Sequence, residues 1–457
     1  MIFNSFGFLL GFLPLSVAAY AIASRYEPLR LPTLLALSVI FYGWWNPWYV
    51  VLLVASILVN WIAAAMFVRT GRRGVATAAI VLNLVVLAYF KYLGFFAQIA
   101  QDATGVAVHV AMVALPLGIS FFTFHHVMYL ADLRAGKTTT FPLLHYGLYI
   151  GFFPQVLSGP LVRYHEVMHQ WGRPPYGDGA AERIGRGIVF MVLGLVEKVL
   201  IADPIAGVIN PLYEKVAANP AVKLGLIEAW TAAAGFGLRI YFDFAGYSHV
   251  AVGVALIFGI ALPQNFNAPY RATSLREFWR RWHMTLSRFL RDYVYIPLGG
   301  NRRGLIAQIA ALLVTMSLAG LWHGAGWTFV LWGFLHGAVL AIGVLWRRLG
   351  WTLPVAIGWA LTLAFVVAVW PLFRAHSLAA AWSVISSLAG ADAAGPVPDL
   401  RPLVLAAAVA LLAPTTWTLA TRARPHPALA LVLAFLFVVV LLYIGDDATY
   451  EFIYFQF

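Results

Sequence analysis

Long apolar runs recur along this chain, and the dense charge between them comes as small clusters of arginine. Such runs approach the roughly 20 residues that an α-helix needs to cross a hydrocarbon core about 30 Å thick. Composition removes the alternatives. Thirty basic and 18 acidic side chains cannot give 457 residues a polar skin. Charged residues are 11% and hydrophobic residues 62% of the chain, against about 25% and 45–50% in ordinary globular proteins. A soluble enzyme, a disordered scaffold and a fibrous repeat protein are thereby excluded. The expected fold is an all-α integral membrane protein, a single membrane domain over residues 1–457. Roughly eleven crossings are expected, with further re-entrant and amphipathic segments.

Three counts narrow the chemistry. There is no cysteine, so thiolate metal sites, disulfides and a cysteine-borne thioester are excluded. The net charge of +12 marks cytoplasmic loops in a membrane protein rather than a nucleic-acid partner. Seventeen Trp and 20 Tyr suit the aromatic belts at the headgroups. No Lys or Arg precedes the apolar run at residues 1–23, so a retained first span is expected there rather than a cleavable signal.

The basic residues fall in alternate connections. Spans at 3–23 and 31–41 enclose Arg25 and Arg30, and spans at 49–68 and 75–96 enclose Arg69, Arg72 and Arg73. The connections at 43–48 and 101–109 hold neither Lys nor Arg. By the positive-inside rule these arginines are cytoplasmic and Met1 is outside. Arg134, Lys137, Arg422 and Arg424 continue the inside set, while Asp446, Asp447 and Glu451 fall outside. Both termini are thus expected to be extracytoplasmic.

Two regions are not simple spans. Residues 157–186, rich in Gly, Pro and charge, read as a cytoplasmic loop, and the apolar stretch 143–157 before it is expected to dip in and return. Residues 265–303 carry eight arginines against Glu277 and Asp292. Within them, 273–295 reads as one basic amphipathic helix. Thr273 or Ser274 can cap it with Glu277 at capping-box distance, and apolar residues from Leu275 to Tyr293 recur every three or four positions. Such a helix belongs at the cytoplasmic interface, as a lipid anchor or as part of a site.

The strongest local anomaly is LWHGAGW at residues 321–327. It joins apolar runs at 305–319 and 328–346 whose outer ends carry Arg302 and Arg303, and Arg347 and Arg348. Both outer ends are therefore cytoplasmic, and the turn carrying His323 lies deep in the membrane or beyond it. A broken backbone at that depth is tolerated only where protein or a water-filled cavity surrounds it. A neutral imidazole held there can act as a general base, or can simply hydrogen-bond helix carbonyls. His283, beside Arg280, Arg281 and Trp282, is the second candidate, with interfacial solvation as its plainer reading. His125 and His126 are adjacent, so a helix points them apart and they do not make a paired metal site. His336 reads as a packing histidine. Asp243 is an intramembrane acid and so a site candidate, or else a partner for Arg239 or a cap.

Taken together, the motifs resemble those of the membrane-bound O-acyltransferase family. They are GISFFTFH (118–125), FPQVLSGP (153–160), YFDFAGYS (241–248), FNAPY (266–270), FWRRWHMTLS (278–287), RDYVYIPLGG (291–300), LWHG (321–324), FRA (373–375) and FIYFQF (452–457). The order and register are most similar to the membrane subunits of bacterial alginate O-acetyltransferases. The resemblance implies a ring of helices around a thin centre, crossed by a tunnel, with N-terminal spans at 1–117, a motif-bearing core at 118–375 and C-terminal spans at 376–457. It implies that His323 is the catalytic histidine and His283 the second family histidine, on the cytoplasmic side. Trp322, Gly324, Asp243 and Trp282 become tunnel or supporting residues, and no metal or bound cofactor is implied. At His249 the chain departs from relatives that carry Asp there.

The implied activity is transfer of an acetyl group from a cytoplasmic donor, acetyl-CoA, to an extracytoplasmic polysaccharide such as alginate. A periplasmic or membrane-anchored partner of the SGNH hydrolase type would complete the transfer, from a protein in the bacterial inner membrane. Arg280, Arg281, Arg288 and Arg291 would hold the donor's phosphates, because guanidinium matches phosphate in bidentate geometry. Peptidoglycan or cellulose acetylation, D-alanyl transfer to teichoic acid, and a transporter without chemistry remain open at this point.

Overall fold

The computed structural model describes residues 1–108, 110, 114–157, 159–390 and 397–444. Asp446, Asp447, Glu451 and the 452–457 motif lie outside the described residues, as do Ser158 and His109. Seven helices are long and apolar enough to cross a membrane: α1 (Pro47–Thr70), α2 (Arg73–Thr104), α3 (Leu226–Ile257), α4 (Leu305–His323), α5 (Trp327–Arg348), α6 (Val355–Arg374) and α7 (Pro427–Ile444). An eighth span is available if the pair Arg401–Leu412 and Thr416–Arg422, bent by 56°, is counted as one. The roughly eleven crossings expected from the sequence exceed these seven or eight helices. Gly7–Ala23 and Leu378–Ser387 are shorter apolar helices beside them.

The chain divides into two compact units. The first holds Met1–Val192, Tyr247–Pro263 and Ala420–Phe435. Here α1 and α2 are joined by reciprocal amide hydrogen bonds, Asn83 Nδ2 donating to Asn60 Oδ1 at 2.6 Å and Asn60 Nδ2 to Asn83 Oδ1 at 3.2 Å. Such pairs satisfy polar groups that lipid cannot. The stretch expected to dip and return is broken, with helices Leu143–Gly151 and Phe153–Val156 meeting at Phe152. The loop expected at 157–186 is not wholly irregular, since it contains the short helix Tyr164–Val167 and the start of Ala180–Leu195.

The second unit holds Leu193–Gly246, Gln264–Leu419 and the described part of 436–457. Its centre is a hairpin of α4 and α5, which turns over three residues at Gly324–Gly326. Two glycines let the helices touch by backbone. A Cβ on Gly320 would lie 2.1 Å from the Phe329 carbonyl oxygen, and one on Gly333 would lie 2.1 Å from that of Met316. The inference from charge that 305–346 goes out and returns as two helices agrees with this geometry.

The basic segment differs from its expected form. Residues 273–295 are not one helix but three pieces: Leu275–Arg281, Met284–Leu290 and the π-helical Arg291–Tyr295. Ser274 caps the first, its Oγ accepting from the Glu277 N–H at 3.2 Å, while Glu277 Oε2 reaches back to the Thr273 N–H at 2.8 Å. The break comes at His283, whose backbone is left-handed at φ 40°. A residue with a Cβ adopts that region only when surrounding contacts hold it there. The Leu275-to-Tyr293 pattern runs unbroken through this point, so periodicity alone did not reveal it.

Candidate active site

His323 is the last residue of α4 and is 2% exposed. Its ring lies against Trp322 at 4.8 Å, Phe373 at 5.0 Å and Trp332 at 5.5 Å between centroids. The three contacts come from α4, α6 and α5, so the imidazole is held by three helices at once. Gly324 follows because nothing larger fits: a Cβ there would sit 2.1 Å from a ring carbon of Phe329.

His283 is fully buried, which rules out the solvated, interfacial reading. Its ring stands edge-on to Phe244 of α3 at 4.7 Å and lies 6.1 Å from Trp322. The basic segment therefore packs inward along its apolar side. Trp282 and Trp279 are also buried, with Trp282 5.2 Å from Trp370 and Trp279 5.9 Å from Trp332. Burial pushes the His283 imidazole down to about 3, because the charged form loses its hydration and gains no acid in return.

His336, read from sequence as a packing residue, takes a more specific place. Trp279 Nε1 donates to its Nδ1 at 3.2 Å, and its ring lies 4.6 Å from Trp332. The basic segment and the hairpin are thus tied by a hydrogen bond as well as by packing. His125 and His126 are structural. Nδ1 of His125 donates to the Phe121 carbonyl at 2.9 Å and its Nε2 accepts the Val162 N–H at 3.1 Å, while His126 bridges Tyr146 and Ser56. His249 is buried in α3, 6.0 Å from the ring of Phe190.

Asp243 is buried and forms an ion pair with Lys198 at 2.7 Å. Lys198 Nζ also reaches Asp203 at 2.6 Å, and Arg239 donates to Asn210 at 3.1 Å. Lys198 stands in a π-helical turn, Val196–Ala202. Sequence reasoning passed over it, although a Glu197–Lys198 doublet inside an apolar run is a visible signal. Beside this turn a cleft of about 240 Å³ is lined by Glu197, Tyr241, Arg271 and Thr416 among apolar residues.

The four candidate arginines separate into different environments. Arg281 pairs with Glu277 at 2.6 Å and Arg291 with Asp292 at 2.6 Å. Arg288 is half-buried and Arg280 is exposed. Arg276 loses some of its proton affinity, through desolvation first and then through the charges of Arg280 and Arg347. Three guanidinium groups thus share one cationic patch, of which only Arg280 is among the expected phosphate-binding residues. Among the described residues there is no cluster of His, Cys, Asp and Glu able to hold a metal ion.

Comparison with known proteins identifies the family. The sequence profile of the membrane-bound O-acyltransferase family matches residues 76–370. The peptidoglycan O-acetyltransferase of Helicobacter pylori is 35% identical over 85% of this chain and 80% of its own length. A "Probable alginate O-acetylase AlgI" of Pseudomonas aeruginosa is also 35% identical, over 85% of this chain and 75% of the relative. A teichoic acid D-alanyltransferase of Streptococcus thermophilus is 30% identical over 51% of this chain and 57% of the relative. The family match spans both histidines, the hairpin and the basic segment; the chain belongs to the membrane-bound O-acyltransferase family and is an acyltransferase.

Proposed function

We propose that this protein moves an acetyl group from acetyl-CoA on the cytoplasmic side towards an extracytoplasmic glycan, with His323 as general base. The observation that carries the reading is the burial of His323 at the tip of the α4–α5 hairpin, one indole from His283. Nineteen residues at 1.5 Å each make α4 about 28 Å long, comparable to the hydrocarbon thickness. A base at that tip, below a cytoplasmic helix start, suits a donor and an acceptor arriving from opposite faces through a tunnel.

In this reading the acceptor hydroxyl oxygen attacks the thioester carbonyl while His323 takes its proton. The tetrahedral intermediate collapses, the carbon–sulfur bond breaks, and the imidazolium returns the proton to the departing thiolate. The aromatic rings exclude water that would otherwise hydrolyse the thioester. Arg280, with Arg281, Arg288 and Arg291, holds the donor's phosphates, and Arg280 carries most of that role because Arg281 and Arg291 already face carboxylates. A periplasmic SGNH-type partner would receive the acetyl group, in a protein of the bacterial inner membrane with both termini outside.

Relatives at the same identity are named for peptidoglycan and for alginate, so the acceptor is framed as a glycan of either kind. The test is acetyl transfer by purified protein from labelled acetyl-CoA, with O-acetyl content measured on isolated peptidoglycan and exopolysaccharide. Label incorporated equally by the wild type and by His323→Ala would overturn the assignment of the base. Consumption of a D-alanyl carrier in place of acetyl-CoA would move the protein to the teichoic-acid reaction.

A further inference from the structure

Asn265 lies outside every motif above, yet its side chain determines how His283 presents itself. Asn265 Oδ1 accepts from Thr285 Oγ1 at 2.9 Å, from the Thr285 backbone N–H at 3.4 Å and from His283 Nδ1 at 3.1 Å. The backbone donor decides which end of the amide faces inward. Turning the amide over would set its NH₂ group against the Thr285 N–H, donor to donor. With oxygen in that position, the ring nitrogen that meets it must carry hydrogen. His283 is therefore Nδ1–H, and its lone pair is on Nε2.

The backbone reinforces the side chain. The Met284 N–H donates to the Asn265 carbonyl at 2.8 Å and the Asn267 N–H to the Arg281 carbonyl at 2.9 Å. These two bonds bracket the left-handed turn at His283 and hold the main chain from which its ring projects. Nε2 is buried and has no hydrogen-bond partner among the described residues. A buried acceptor left unsatisfied costs on the order of 1–3 kcal/mol, which makes it a place where a ligand's donor group would be taken up.

We infer that Asn265 is a positioning residue that locks His283 in the Nδ1–H tautomer, so that Nε2 accepts a hydrogen bond from a substrate N–H or O–H beside Trp322. This rests on the acyl-transfer reading for its substrate, but the tautomer itself does not. A neutral His283 held this way cannot donate to a developing oxyanion. Its contribution is to orient the donor's amide groups or the acceptor's hydroxyl.

The experiment uses full-length protein with ¹⁵N-labelled histidine in lipid nanodiscs, taking His283→Gln to identify the His283 ring signals by difference. The expected wild-type signature is a protonated Nδ1 and an unprotonated Nε2. Asn265→Asp, whose carboxylate still accepts from both partners, should keep that signature and most of the turnover. Asn265→Ala should release it to mixed tautomers and lower kcat about tenfold, the scale of one lost positioning hydrogen bond. A rise in KM confined to acetyl-CoA assigns the hydrogen bond to the donor; one confined to the glycan assigns it to the acceptor. A protonated Nε2 in the wild type overturns the inference, whether or not any variant folds. If the wild type shows the expected tautomer but transfers no acetyl group, the acyl-transfer reading fails and the tautomer lock stands.

Discussion

One indole separates His283 from His323: the ring of Trp322 lies 6.1 Å from the first and 4.8 Å from the second. Charge patterning put these histidines at different depths, one in a cytoplasmic helix and one at the far end of a hairpin. Their proximity comes from the inward packing of the basic segment, which buries Trp279, Trp282 and His283 together.

Removal of the proposed base should be selective. His323→Ala should lower acetyl transfer by 10²–10⁴-fold, the usual range for a positioned general base, and leave helical content unchanged. Turnover and circular dichroism on the same preparation check both halves of the expectation.

The cationic patch should govern donor affinity. Arg280→Ala should raise KM for acetyl-CoA about tenfold, as expected for losing a charge-assisted hydrogen bond, with kcat changed little. Arg291→Ala should have a smaller effect, because Asp292 already engages that guanidinium. A KM unchanged by Arg280→Ala would return the patch to a lipid-anchoring role.

Lys198 is compensated by two acids in a buried site. Lys198→Met should destabilise the protein by about 3–5 kcal/mol, since it leaves uncompensated buried charge. Adding Asp243→Asn should recover part of the loss. Thermal unfolding in one detergent, run on the single and double variants, measures this.

The His283 ring gives a pH dependence with a defined sign. Its folded value, about 3, lies below the unfolded value of about 6.5, so folding favours the neutral ring. That contribution is complete above pH 6.5 and is lost as pH falls towards 3. Unfolding midpoints of wild type and His283→Gln, compared across this window, should show the wild type losing more stability on acidification. The other buried histidines are common to both proteins and cancel in the difference.

How much of this was legible follows from the kind of interaction involved. The hairpin could be read because arginines at 302–303 and 347–348 mark both of its outer ends, and charge placement is a local property of the sequence. The seven long spans follow from hydropathy in the same way. The break at His283 could not be read, since it depends on backbone hydrogen bonds from Met284 to Asn265 and from Asn267 to Arg281 that hold a left-handed backbone against its own preference. Lys198 was missed for a related reason: one of its acids is five residues away but the other is 45 residues away, on α3. Asn265 carries no charge and breaks no pattern, so only its three acceptor contacts reveal it.

The glycine contact between α4 and α5 implies one more expectation. Gly333→Ala would bring a methyl group to 2.1 Å from the Met316 carbonyl, forcing the helices apart at a cost of about 1–3 kcal/mol. The variant should unfold at lower temperature and lose turnover together, whereas Leu331→Ala, on the exposed side of the same helix, should do neither.

That same contact makes the register of the hairpin a property of its main chain. Val314, Leu318 and Phe334 face outwards and are free to change with the lipids around them, because none of them sets the distance between the helices. The imidazole at the tip is therefore insulated from drift on the lipid-facing surface: the outer wall of the hairpin can adapt to bilayers of different composition while its inner edge keeps His323 in one place.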